Sequence, residues 1–229
     1  MVAAVKPIVT SLGNQTLREI FAAIDALSCP FSVNFHIHSR YSDGQMQPRD
    51  IVEQAINLKL KHFALSDHHT VEGYEVARQE LIYRKRSGEV NLPRLWVAAE
   101  INASLLFTDV HILGYDFDPR HPAMLPYLQG KATAGIDYQA VKVINSIHQA
   151  GGLAVLAHPA RYRRSAKDLI HSAAKLGIDG IETYYSYENC DPWQPTRRIT
   201  AEVKPIVEDL GLFHTCGTDS HGLKITRRI

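Results

Sequence analysis

Short, continuous apolar runs alternate along this chain with segments whose apolar positions recur every three or four residues. The runs predict seven strands: FSVNFHI (31–37), KHFALS (61–66), RLWVAAEI (94–101), VHILGY (110–115), LAVLA (153–157), IDGIE (178–182) and LFHTCG (212–217). The periodic segments predict helices over LREIFAAIDAL, PRDIVEQAINLKL, VEGYEVARQELIYRKR, DYQAVKVINSIHQA, AKDLIHSAAKLG and ITAEVKPIVEDLG. In the second of these, Ile51, Ala55 and Leu58 share one face and Pro48 suits the first turn. Gly151–Gly152 and Gly177 suit helix ends. A βα alternation that ends in a seventh strand predicts an α/β fold with a mostly parallel sheet or a barrel. Between strands three and four, NASLLFTD is too short for a crossover helix, so the repeat is irregular there. Residues 116–133 lack periodicity and read as a short cap-like loop beside the site. Residues 1–30 read as an N-terminal extension with a helix packing on the main unit, 31–229.

The polar residues fall where the strands end. Strand one closes on His36 and His38 and leads to Asp43; strand two leads to Asp67, His68 and His69. Strand three ends near Glu100, strand four carries His111, and strand five leads to His158. Strand six ends in Glu182, and strand seven leads to Asp219 and His221. In parallel α/β folds the carboxyl ends of strands converge on one crevice, so distant segments can share a pocket. Imidazole and carboxylate donors without thiolates suit zinc, manganese or iron(II). His36 and His38 point the same way from an extended strand, whose side-chain period is two. The group exceeds the four ligands of a single structural zinc and suggests two or three divalent ions sharing a carboxylate.

Composition narrows the class. The chain has 229 residues, a formal charge of +1 and 12 histidines. Near-neutral charge argues against a polynucleotide coat or a polybasic membrane binder, and favours small phosphorylated molecules or very short oligonucleotides over long duplexes. No run reaches the roughly 18 apolar residues of a membrane span. The start, MVAAVKPIVTSLGN, is broken by Lys6 and Pro7 and makes no convincing signal peptide. Cys29, Cys190 and Cys216 give no disulfide framework, which fits a cytoplasmic protein, with Cys216 read as a small buried strand residue. His62, His121, His148, His171 and His214 read as background.

The segments H36-I-H38-S-R-Y-S-D43-G, L-S-D67-H68, E100, H111-I-L-G-Y, A-H158-P-A-R161 and D219-S-H221 resemble, in order, the metal motifs of the PHP family, the polymerase-and-histidinol-phosphatase phosphoesterases. The resemblance runs from about residue 33 to 221. It implies a distorted seven-stranded (β/α)7 barrel with a trinuclear metal centre. By motif, the first ion would take His36, His38, Glu100 and Asp219. The second would share Glu100 and add His111 and His158, and the third would take Asp43, His68 and His221. Aspartate at position 43, where some members have histidine, is more similar to the branch that cleaves phosphate from nucleotides or short oligonucleotides. Two features depart from that branch: the segment after Tyr115 is short, and position 69 is His where aspartate is frequent.

The implied activity is phosphomonoester hydrolysis by a metal-bridging hydroxide. Arg161, three residues beyond His158, is the expected phosphate clamp. Arg163 and Arg164 would extend a positive rim, and Arg197 or Arg198 would approach from the next loop. Asp67 would orient a ligating imidazole or cap a helix. Glu182 would orient water or substrate, or close the barrel through an ion pair, and His69 would tune the third ion or line the mouth. Tyr184, Tyr185 and Tyr187 would stack on a ring or pack. Two other readings stand beside this one. They are a metal-dependent amidohydrolase, for which no bridging lysine sits at a strand end, and a non-catalytic PHP binding module.

Overall fold

The computed structural model describes residues 16–229. Seven strands pair in chain order: β1 (Val33–Asn34), β2 (His62–Leu65), β3 (Arg94–Leu105), β4 (Thr108–Tyr115), β5 (Leu153–Leu156), β6 (Gly180–Tyr184) and β7 (Phe213–Cys216). Helices α1 (Leu17–Ala22), α2 (Pro48–Asn57), α3 (Glu72–Arg86), α4 (Ala140–Gln149), α5 (Ala166–Lys175) and α6 (Arg197–Asp209) lie between them. The ring closes through backbone bonds from Phe35 N to Cys216 O (3.2 Å), His38 N to Ser220 O (3.0 Å) and Asp219 N to His36 O (2.8 Å). The fold is thus the expected distorted seven-stranded α/β barrel.

Three elements differ from the sequence pattern, each for a local reason. Regular pairing in β1 is confined to Val33–Asn34; beyond it Phe35 bonds to Cys216 of β7, Ile37 O accepts from Ser66 N after β2, and His36 and His38 bond to Asp219 and Ser220 after β7. The connection NASLLFTD is absorbed into a long antiparallel hairpin, in which β3 and β4 stay paired as far as Leu105 and Thr108. β4 also runs antiparallel to β5, while the other pairs are parallel. Helix α1 stops at Ala22 rather than continuing to Leu27. The Asp25 carboxylate accepts the Leu27 N–H (2.9 Å) and the Ser28 hydroxyl (2.8 Å), a local turn that competes with the helix.

Side-chain alternation decides what the barrel encloses. Along β3, Trp96, Ala98 and Glu100 face inward, whereas Val97, Ala99 and Ile101 meet the helices. Helix α1 begins with a reciprocal cap between Thr16 and Glu19 and sends Leu17, Ile20 and Phe21 into the interior cluster. Phe21 meets Phe35 and Tyr115 edge-on at ring separations of 5.1 and 5.4 Å. Tyr115 ends the antiparallel β4 and His111 stands four residues before it, so α1 closes the end of the barrel away from His111. Burial of each such side chain contributes roughly 1.5–3 kcal/mol. Residues 1–15 of the expected extension lie outside the described residues.

Candidate metal centre

The open end of the barrel gathers polar side chains from nearly every strand. Glu100 tops the inward row of β3 and is buried. His111 sits midway along β4, paired with Asn102 two residues beyond Glu100, and so reaches the same end although its strand runs the opposite way. His158 and Asp219 occupy the left-handed region (φ 27° and 51°), an uncommon backbone state for such residues that turns the chain sharply at the mouth.

Four donors face one another at the floor. His36 Nε2 and His38 Nε2 are 3.1 Å apart, and each lies 3.1 Å from Glu100 Oε2. Asp219 Oδ1 is 3.4 Å from His36 Nε2 and 3.2 Å from His38 Nε2. Donors bound at ~2.1 Å around a tetrahedral ion stand about 3.4 Å from each other, so this group fits one cation. The other oxygen of Glu100 turns to a second group: Oε1 is 2.8 Å from His111 Nδ1 and 3.2 Å from His158 Nε2. A third group lies nearer solvent, where Asp43 Oδ2 is 3.2 Å from His221 Nε2 and 3.7 Å from His68 Nε2, with His38 alongside. Eight of the nine residues expected from sequence as ligands thus fall in groups able to hold a metal, and His158 adjoins them through Glu100.

Charge within the cluster is balanced internally. Burial alone would pull the His36 imidazole down, but Glu182, Glu100 and Asp219 outweigh it and hold it well above its ordinary value. His38 is likewise buried, and Asp219 and Glu100 raise it to about 9. Burial would raise the Glu100 carboxyl, yet His36 and His111 hold it well below the usual range. Burial dominates at His68, lowering it to about 4. Two imidazole nitrogens, His68 Nδ1 and His158 Nδ1, are buried without a hydrogen-bond partner.

Above the cluster opens a cavity of about 260 Å³. The wall carries Arg161, Tyr162 and Arg228 alongside seven of the donor residues. Both guanidiniums donate to the same atom, Asp219 Oδ2, at 2.9 Å from Arg161 and 2.8 Å from Arg228.

The sequence model of the PHP domain matches residues 34–189, more than half of the chain. This chain belongs to the PHP family. It is 25% identical to a 5′-3′ exoribonuclease of Haemophilus influenzae over 82% of this chain and 89% of that protein. Among solved structures it resembles a protein of Bifidobacterium adolescentis assigned as a metal-dependent phosphoesterase, at 21% identity and a TM-score of 0.66, covering 83% of this chain and 88% of that one. An amidohydrolase of Chromobacterium violaceum matches at 20% identity and a TM-score of 0.67, with the same coverage. At that identity the two structures bear on the fold alone.

Within this PHP barrel the supporting residues differ from the expected ones. Asp67 touches no imidazole and caps no helix; its carboxylate accepts from Ser39 N (2.6 Å), Ser39 Oγ (2.7 Å) and Ser42 Oγ (2.8 Å), pinning the loop that leads to Asp43. The orienting contact falls to Glu182, which accepts from His36 Nδ1 (2.8 Å) and from the His158 backbone N–H (2.9 Å) and is fully buried. With Nδ1–H held by Glu182, Nε2 is the nitrogen aimed at the floor and the one that would release its proton to bind a metal. His221 is set the same way, its Nδ1 bonded to the Asp219 carbonyl at 2.7 Å. His69 stands outside the cluster, paired with Asn102 at 3.0 Å. Arg163, Arg164, Arg197 and Arg198 line no part of this cavity, and Arg198 pairs with Glu202 along α6. The loop 116–133 contributes nothing to the cavity wall, and Met124 and Tyr127 pack into the core outside the barrel. Tyr185 joins the centre by donating its hydroxyl to Asp219 Oδ2 (2.6 Å), while Tyr184 and Tyr187 are packing residues. Sequence reasoning missed Tyr162 and Arg228, which no motif or periodicity singles out.

Glu182 accepts at both oxygens, and an amide can accept at only one. Glu182→Gln is therefore expected to lower metal affinity about 10–100-fold while the fold persists. Titration against a chelating dye, with circular dichroism as the control, checks this; unchanged affinity would remove the orienting role.

Proposed function

We propose that this chain is a metal-dependent phosphoesterase. Its substrates would be phosphomonoesters of small metabolites or nucleotides, or the terminal phosphates of short single-stranded oligonucleotides. The observation that carries the reading is the pair of guanidiniums, Arg161 and Arg228, standing over a cluster of metal-type donors whose floor, His36, His38, Glu100 and Asp219, is buried. Guanidinium forks match phosphate oxygens, and a neutral amide would have no use for two of them. The 5′-3′ exoribonuclease activity named for the Haemophilus relative supports the same class.

Bound at these donors, two or three divalent ions of the manganese, zinc or iron type would supply an activated water and offset charge on the phosphoryl oxygens. His36, His38, Glu100 and Asp219 would hold one ion, His111 and His158 would share Glu100 for another, and Asp43, His68 and His221 would take the outermost. The chain's own work lies in placement. Tyr185 and the two guanidiniums share Asp219 Oδ2 and so leave Oδ1 turned to the imidazoles. Tyr162 accepts the His111 backbone N–H at 2.8 Å and fixes the edge of β4 beside the cavity. An arriving phosphate would take guanidinium protons in place of part of the Asp219 contact, which orients the ester over the donors.

The amidohydrolase reading lacks a specific observation here: no lysine lines the cavity. A panel settles the class. Metal-loaded protein is assayed on a phosphomonoester, a 3′,5′-bisphosphorylated nucleoside, a short single-stranded RNA and a set of amides. Phosphoester turnover with inert amides is the expected result, and the reverse would overturn the reading. Arg161→Ala and Arg228→Ala should each reduce kcat/KM about 10–100-fold, chiefly through KM, as expected for losing a charge-assisted contact. Wild-type KM in both would show that neither guanidinium meets the phosphate.

A further inference from the structure

The hairpin of β3 and β4 ends in a two-residue turn, Leu106–Phe107, between the paired residues Leu105 and Thr108. Both turn residues have positive φ, 52° and 59°. Such turns select Asn, Asp or Gly, because in this region Cβ crowds the following carbonyl oxygen, a cost Gly avoids and Asn or Asp offset by local hydrogen bonds. Here the two positions hold large apolar residues, and Phe107 is fully exposed to solvent. Neither conformational preference nor burial accounts for an aromatic ring at that point. Strain kept at one position against local preference points to a function there.

Beneath the tip runs a groove of about 390 Å³, lined by Leu106 and by one face of α5 with the residue leading into it: Arg164, Lys167, Asp168, His171, Ser172 and Lys175. Three cations face one carboxylate. Among the described residues, Arg164, Lys167 and Lys175 form no ion pair, whereas many other basic residues of this near-neutral chain do. The groove lies close to the cavity over the metal-type cluster. Arg161 lines the cavity over the donors and Arg164 lines the groove, so the two are joined by three residues of chain, at most about 11 Å. The segment between them, Arg161–Tyr162–Arg163–Arg164, adds another cation and no acid.

A basic track with an exposed aromatic beside it is the arrangement that holds single-stranded nucleic acid: cations follow the phosphates and the ring stacks on a base without regard to sequence. We propose that this groove seats the nucleotides that follow the reacting terminal phosphate of a single-stranded oligonucleotide. Lys167, Lys175 and Arg164 contact the backbone, and Phe107 stacks on a base. The proposal rests on the phosphoesterase reading and narrows it: the preferred substrate is an oligonucleotide several residues long, not a mononucleotide or small metabolite. A long duplex does not fit, because its bases are not free to stack on Phe107.

The test measures binding of 5′-phosphorylated single-stranded RNAs of one, two, four and eight nucleotides to the full chain in chelator, where no cleavage occurs. Turnover of the same series by metal-loaded protein runs in parallel. Affinity should rise with length. Phe107→Ala should weaken the octanucleotide about 5–100-fold, with a loss that grows from the mononucleotide upward. The double variant Lys167→Glu, Lys175→Glu should flatten the salt dependence by about 0.7 in log–log slope for each phosphate contact removed. Equal affinity across the length series, or octanucleotide binding by Phe107→Ala as tight as wild type, would overturn the proposal. So would tighter binding of a polyglutamate peptide than of RNA, lost in the same variants, since it would assign the groove to an acidic protein partner. Failure of the phosphoesterase reading has a different signature, namely no turnover of even the smallest phosphoester. Failure of the groove leaves that turnover in place with a flat length dependence.

Discussion

Glu100→Ala is expected to abolish metal uptake and phosphoester turnover together. The side chain is buried, and its two oxygens face different partners: Oε2 meets His36 and His38, and Oε1 meets His111 and His158. Among the described residues no other carboxylate accepts from imidazoles of both groups. Its loss leaves His111 and His158 without their carboxylate and removes the anion that links the two groups, so affinity should fall well beyond the roughly 10–100-fold typical of an outer partner. The chain itself should also weaken, by about 3–5 kcal/mol, as when one partner is removed from a buried ion pair. Glu100→Gln keeps the volume and separates the two effects, because it should fold and still fail to load. Metal content by atomic emission, melting temperature and turnover are read on both variants. Full metal occupancy with wild-type turnover in Glu100→Gln would contradict the assignment.

Gly217→Ala should act through the backbone, without touching any donor atom. Gly217 follows β7 where the chain passes against His36, and an added Cβ would collide with the His36 Cβ, N and Cα atoms. These are main-chain and near-main-chain atoms that cannot rotate away, so the clash must move the end of β7 or the His36 backbone. Overpacking of this kind costs about 1–3 kcal/mol, which for a domain of this size lowers Tm by about 2–4 °C per kcal/mol. Displacing His36 also opens the 3.1 Å spacing to His38, so metal affinity should fall with stability. Thermal melts with and without metal check the pair of effects; an unchanged Tm and unchanged loading would refute the contact.

The barrel was legible because its strands are short apolar runs separated by helices of ordinary period, and the donors because they cluster at strand ends in family order. What stayed hidden depended on contacts distant in sequence. The β3–β4 hairpin lacks the Asn-Gly signal of a tight turn, since Leu106–Phe107 occupies it, and so it read as a loose connection. Asp67 adjoins a donor in sequence and was the natural orienting group. Yet it is Glu182, four strands further along in β6, that faces inward toward His36 across 146 positions of chain. Arg228 lies in a C-terminal segment without periodicity. That segment is set by contacts such as Ile225 N to Gln54 Oε1 (3.0 Å), which no local pattern encodes. Arg163 and Arg164 were expected to extend the phosphate rim because they neighbour Arg161, but the turn into α5 carries them past the cavity, and Arg164 lines the adjoining groove.

The most direct test of the account is a metal titration of chelator-stripped protein, followed by hydrolysis of one phosphoester chosen from the panel. The account predicts no turnover without metal. Turnover should then be restored saturably by manganese, zinc or iron(II) at two or three ions per chain, and the restoration should be lost in Glu100→Gln. Turnover that survives stripping, or full occupancy of the cluster without phosphoester hydrolysis, would contradict it.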